Sequence, residues 1–254
     1  MGYLKSWVVG EKILAADLNK CFALFYLLGN NVEVYADAVC LDSANANMWC
    51  VRNSGGARRI TKHEVFGYTS ALEINSNVVS LASYDLIANT IINLDSYLYT
   101  WQRLTAGLVW TCVRITKSDG TLTNMTFSGT PPDNDGGASI ATDGTFVYIA
   151  DTGTTKVRKY SLSGTTLTYV ADITLSQATQ GLLFLTDGTY FVYNKNGAAT
   201  MIVVDTLAGA NVTSYLQAHT LFGSGFAFGG LAYGLVNFNI NGAELLAVVA
   251  LANL

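Results

Sequence analysis

The segment Thr142-Asp143-Gly144-Thr145-Phe146-Val147-Tyr148 returns as Thr186-Asp187-Gly188-Thr189-Tyr190-Phe191-Val192-Tyr193, the second Asp lying 44 positions after the first. A turn made by Asp-Gly, then alternating apolar residues, at a period near 44, is the spacing of one four-stranded blade of a β-propeller. The alternation puts every second side chain on one sheet face. Such a repeat cannot bury its apolar faces alone; it needs neighbours stacked on both sides.

The repeat extends in both directions. Around Asp143 the expected strands are 138–142, 145–150, 156–162 and 166–174, with turns at Asp143-Gly144, Asp151-Thr152-Gly153 and Ser163-Gly164. Around Asp187 they are 181–185, 190–193, 200–205 and 212–216, with turns at Asp187-Gly188, Asn196-Gly197 and Ala208-Gly209. Asn-Gly and Asp-Gly mark hairpins because both residues tolerate positive φ. Downstream, 233–237 and 244–251 flank Asn241-Gly242. Upstream, 96–101, 108–115 and 121–127 form a weaker copy with a turn at Asp119-Gly120, and 47–51 and 57–65 flank Gly55-Gly56. The expected fold is therefore mainly β, a small propeller of about five four-stranded blades over residues 32–254. A strand near Val32–Tyr35 is expected to complete the last blade and close the ring, which removes sheet edges. A β-sandwich or prism with two similar hairpins is the rival architecture.

Residues 1–31 read differently, as an attachment segment with a helix. Leu14, Leu18, Cys21, Phe25 and Leu28 are spaced 4, 3, 4 and 3, an apolar stripe on one helix face. Phe22 and Leu24 widen it, and Gly29-Asn30 stops it. A helix with this face packs on a larger surface.

Only 13% of the residues are charged, against about a quarter in a typical soluble domain. Thr, Ser, Asn and Gly supply the polarity, which suits strands, tight turns and an extracellular or particle-bound protein. The net charge of −4 opposes nucleic-acid binding, which needs a basic face. The small basic cluster Arg58, Arg59, Lys62 and His63 is read as a solvated hairpin edge. No run reaches the roughly 18 apolar residues of a membrane-spanning helix, so no membrane insertion is expected. The four cysteines show no Cys-x-x-Cys pair, so zinc is not expected. Cys40 and Cys50 leave open a pairing across a hairpin.

Motifs for chemistry are sparse. There is no nucleophile elbow, phosphate loop or metalloprotease motif. Asp133-Asn134-Asp135-Gly136 opens like a calcium loop but has only Asp143 near the position of the closing acid; an interblade turn is preferred. Asp143 and Asp187 are expected to shape their own turns. The aromatics Tyr97, Tyr99, Trp101, Trp110, Tyr148, Tyr160, Tyr169 and Tyr193 are assigned to packing between blades rather than to stacking on sugars. The expectation is a non-enzyme with no cofactor and no metal.

Trp7-Val8-Val9-Gly10-Glu11-Lys12-Ile13-Leu14-Ala15-Ala16-Asp17-Leu18-Asn19 resembles the N-terminal segment of many tailed-phage virion proteins. The match covers about 13 residues. Leu14 stands where a Ser or Thr commonly precedes the Ala-Ala pair, which leaves the helix start open. The resemblance implies a virion location and attachment to a tail, collar or capsid component. On it, Trp7, Gly10, Glu11, Leu14, Asp17, Leu18, Asn19, Phe22, Phe25 and Leu28 are the expected partner-binding residues. The expected partners are other virion proteins and further copies of the chain. The alternatives are a receptor- or glycan-binding head engaging the host surface and, after that, a polysaccharide-degrading enzyme.

Overall fold

The computed structural model describes residues 36–253 apart from 43–46, 55–56, 65–78, 81–83, 108, 134–138, 187–189, 217–225, 229–230 and 241–242. The expected N-terminal helix, the closing strand near Val32–Tyr35 and Asp187 lie outside the described residues. Among the described residues every regular element is a strand, and the strands form five sheets.

The first sheet holds β1 (Ala36–Asp42), β2 (Asn47–Ser54), β3 (Ala57–Glu64) and β4 (Val79–Ser80). The second holds β5 (Tyr84–Leu94), β6 (Tyr97–Leu104), β7 (Trp110–Thr116) and β8 (Leu122–Asn124). The short β9 (Thr126–Ser128) follows at once, then β10 (Ser139–Thr142), β11 (Phe146–Ala150), β12 (Lys156–Ser163) and β13 (Thr166–Thr174) build the third sheet. The fourth contains β14 (Thr179–Thr186), β15 (Tyr190–Lys195), β16 (Ala198–Thr206) and β17 (Asn211–Leu216); the fifth contains β18 (Phe226–Phe228), β19 (Leu231–Ile240) and β20 (Ala243–Asn253). Within each sheet, consecutive strands pair antiparallel in chain order, with one addition. β9 crosses from the second sheet and pairs parallel with β13, Thr126 opposite Thr166 and Ser128 opposite Thr168.

That crossing corrects the expected single strand 121–127. The ladder breaks at Met125, whose amide donates to the Cys112 carbonyl at 2.8 Å while its side chain is buried. One residue later the Thr126 amide bonds the Thr165 carbonyl of the next sheet at 2.9 Å. β5 adds a strand ahead of the expected 96–101, 108–115 and 121–127. Its turn into β6 is made by Asp95, at φ 51°, rather than by glycine.

Three apolar clusters show how the sheets stack. Cys40, Trp49 and Ile60 of the first sheet meet Ile91, Leu98, Val113 and Ile115 of the second. Tyr99, Trp101, Trp110 and Cys112 of the second meet Ile140, Val147, Ile149 and Tyr160 of the third. Tyr148, Ala150 and Val157 of the third meet Phe191, Tyr193 and Val203 of the fourth. Alternate residues of one strand thus face opposite neighbours: Leu98 faces back and Tyr99 forward; Val147 faces back and Tyr148 forward. Covering both faces explains why β6 and β11 are buried almost continuously instead of alternating with solvent. The first strands lie near one another, β1 by β5, β5 by β10, β10 by β14 and β14 by β18; β5 also lies by β14.

The rings expected to pack between repeats do so. Tyr99, Trp101, Trp110, Tyr148, Tyr160 and Tyr193 are buried in these clusters, and Tyr97 and Tyr169 pack half-buried against them. Trp101 and Trp110 lie nearly parallel at 6.3 Å, and Tyr148 meets Phe191 edge-on at 5.4 Å across a sheet junction. On β3, the ammonium of Lys62 sits 5.6 Å from the buried Trp49 ring. The β1–β2 register sets Cys40 opposite Trp49 and Cys50 opposite Val39, so the two cysteines are not directly opposed as a hairpin disulfide requires.

Candidate functional site

The polar chemistry of the described residues concentrates where the chain passes from one sheet to the next. The linker into the third sheet carries Thr130 and Asp133. β12 presents Arg158 and Tyr160 to it, both on the face that looks back at the second sheet. The Tyr160 hydroxyl donates to the Thr130 carbonyl at 3.0 Å. Arg158 is buried, and its two terminal nitrogens hold Asp151 Oδ2 at 2.6 Å and Asp133 Oδ2 at 2.7 Å. Its Nε lies 3.8 Å from Asp172 Oδ1, and Lys156 Nζ lies 3.9 Å from Asp133.

The two acids on Arg158 differ sharply. Asp151 has a side chain only 1% exposed, whereas that of Asp133 is 51% exposed. Burial pushes the Asp151 carboxyl up to about 6; Arg158 opposes this, and the neighbouring Asp133 carboxylate adds to it. Asp133 is held below the usual carboxylate range, first by its hydrogen bond from Arg158. Burial works against the charge of Arg158, but the two carboxylates outweigh it and hold its basicity above the ordinary value. Asp151 Oδ1 and Arg158 Nε are buried without a hydrogen-bond partner.

The linker into the fourth sheet is pinned differently. Asp205 of β16 is fully buried. It accepts from the Ser176 amide at 2.8 Å, the Ser176 hydroxyl at 2.7 Å, the Tyr193 hydroxyl at 2.7 Å and Asn211 Nδ2 at 3.1 Å. The Gln177 amide donates to the Tyr193 oxygen at 3.1 Å. Burial, then the bond to Asp205, holds the Tyr193 phenol well above its ordinary range. Just beyond, Gly209 at φ +84° turns against Thr174; a β-carbon there would collide with the Thr174 carbonyl.

Asp143 does what its place before Gly144 implies. Its Oδ1 accepts from the Thr145 and Phe146 amides at 2.8 and 2.7 Å. Oδ2 takes the Tyr148 hydroxyl at 2.6 Å, a contact invisible to motif reading. Burial opposes its charge, but these donors hold its carboxyl below the usual range.

Each acid described here is committed to an internal partner. Asp133, the first residue of the calcium-like stretch, is on Arg158, and residues 134–136 lie outside the described residues. Among the described residues no group of three or more His, Cys, Asp or Glu is arranged to hold a metal. Asp151 has the proton affinity of a general acid near pH 6, but its burial denies a substrate access; structural ion pairs also shift acids this way. The expected partner-binding residues Trp7, Gly10, Glu11, Leu14, Asp17, Leu18, Asn19, Phe22, Phe25 and Leu28 all lie outside the described residues.

No protein-family model matches the sequence, and no curated protein matches it. Among solved structures, YjhT is 9% identical over 87% of this chain and 95% of that one, with a TM-score of 0.47. Regucalcin, a calcium-binding protein of Agrobacterium tumefaciens, is 13% identical over 80% of this chain and 81% of that one, at 0.42. Glutaminyl cyclase of Myxococcus xanthus is 12% identical over 57% of this chain, spans 59% of that one, and scores 0.40.

Proposed function

We propose that this chain is a structural protein of a tailed-phage virion. Residues 1–31 dock on a tail, collar or capsid component, and residues 32–254 close into a five-bladed propeller presented by the particle. The observation that carries this reading is the Trp7–Asn19 segment joined to a stack of sheets. Two features of the described residues support it. Their large rings are buried between sheets, and their acids tie linkers and turns, which suits a rigid platform. Ring closure is supported by the first strands, where β5 lies by both β10 and β14, as expected when strands converge on one axis.

Two experiments test this. In the full chain, Trp7→Ala with Leu18→Asp is expected to leave the β circular-dichroism signal unchanged and abolish incorporation into purified particles. Normal incorporation sinks the attachment reading. Electron-microscopy class averages of the isolated protein are expected to show five lobes around a central hole. Two flat layers would replace the propeller with a sandwich.

A further inference from the structure

Two carboxylates share one guanidinium in the linker into the third sheet, and their surroundings assign them a common task. The two terminal nitrogens of Arg158 are bonded to one carbon, so Asp151 at 2.6 Å and Asp133 at 2.7 Å are necessarily neighbours. The Asp133 carboxylate therefore adds to what burial already costs the charge on Asp151. Carboxylates cannot hydrogen-bond each other unless one is protonated. Asp151 Oδ1, buried and without a donor, is the atom that a proton would satisfy.

The charges around the pair are Arg158 and Lys156 from β12, Asp172 from β13, and Asp133 itself from the linker. Tyr160 faces the same guanidinium from β12, and Tyr169 adjoins Asp172 on β13. Three acids thus surround two cations, one of them, Lys156, at 3.9 Å and half-exposed. One added proton balances the group; like charges sharing a site bind one at raised affinity.

We propose that Asp151 and Asp133 bind a single proton between them, forming an acid-tightened latch. With the proton present, Asp151 donates to Asp133, and Arg158 clamps the pair, so residues 130–133 stay seated on β12. With it absent, the two carboxylates repel across Arg158. Asp133, the half-exposed partner, then turns toward water, and the linker entering the third sheet loosens.

The test uses the full chain. Melting temperature is measured from pH 4.5 to 8 for the wild type, Asp151→Asn and Asp133→Asn, with and without calcium. Asparagine at 151 imitates the protonated acid, since its amide is a permanent donor. The wild type is expected to lose several degrees across this range, and Asp151→Asn to flatten that loss. Carbon-13 carboxyl NMR on the wild type and Asp133→Asn keeps the idea testable if Asp151→Asn fails to fold. Asp151 is expected to titrate within the range, and Asp133→Asn to lower its midpoint by about a unit or more. An unchanged slope in Asp151→Asn, or an unmoved Asp151 midpoint in Asp133→Asn, overturns the proposal. A slope abolished by calcium also overturns it, because the pair would then hold a metal ion rather than a proton.

Discussion

The linkers into the third and fourth sheets are both pinned by the third strand of the sheet they enter, but with opposite chemistry. Arg158 of β12 grips an acid in its linker, while Asp205 of β16 accepts neutral donors from Ser176 in the next. The Asp205 joint is well satisfied, with four donors around one carboxylate. The Arg158 joint leaves Asp151 Oδ1 and its own Nε without a hydrogen-bond partner. A buried charge surrounded by neutral donors makes a fixed joint. A buried cation shared by two carboxylates that repel each other makes one that responds to its medium.

Breaking the Arg158 joint gives the largest expected effect. Arg158→Met strands the buried Asp151 carboxylate and is expected to cost about 3–5 kcal/mol at neutral pH, measured by urea unfolding. Part of that loss should return at pH 5, where Asp151 is protonated. At the fourth sheet, Gly209→Ala is expected to cost well over about 1 kcal/mol. It adds a collision with the Thr174 carbonyl to a positive φ, so even a satisfied joint depends on backbone fit. Tyr193→Phe removes one of the four donors to Asp205 and is expected to cost about 1–2 kcal/mol in the same assay. Tyr148→Phe, whose Asp143 keeps two amide donors in a partly exposed turn, should cost less than Tyr193→Phe. Equal losses would remove the distinction between joint and turn.

The pH dependence sharpens the contrast. Asp151 has a folded value of about 6, above its unfolded value, so folding takes up a proton between the two. Stability therefore falls as pH rises through that window. Asp133 and Asp143 are shifted down, so their contribution is present above the ordinary carboxylate value and is lost on further acidification. Melting temperature is accordingly expected to peak between about pH 4 and 5. A flat profile from pH 4 to 7 would mean that the two joints behave alike.

The hairpins were legible because their turns use residues that tolerate positive φ: Gly120, Gly144, Gly164, Gly197 and Gly209 all adopt it. β5 was not, since Asp95 makes its turn without a glycine and its apolar run has no bounding signal. The pairings of Arg158 with Asp133 and of Asp205 with Ser176 were also hidden. They join residues far apart in sequence that meet only after the sheets stack.

The repeat itself carried a trap. The letters Val-Tyr recur at 147–148 and 192–193, 45 positions apart, but the apolar faces recur at 44. Tyr148 faces forward to the fourth sheet, whereas Tyr193 faces back to the third. In a strand, a shift of one residue exchanges faces. That exchange sends the Tyr148 hydroxyl to its own turn and the Tyr193 hydroxyl to a linker.

β9 bears on how such a chain can be copied. Thr126–Ser128 leaves one sheet at Met125 and completes the next, so a segment exchanged with the third sheet intact would have to start ahead of that sheet's own first strand. A segment cut at the end of β13 would keep its outer neighbour only if it also carried the tail of the preceding sheet. Recombination that respects this fold has its natural seam at Met125, inside what the sequence presents as one continuous strand.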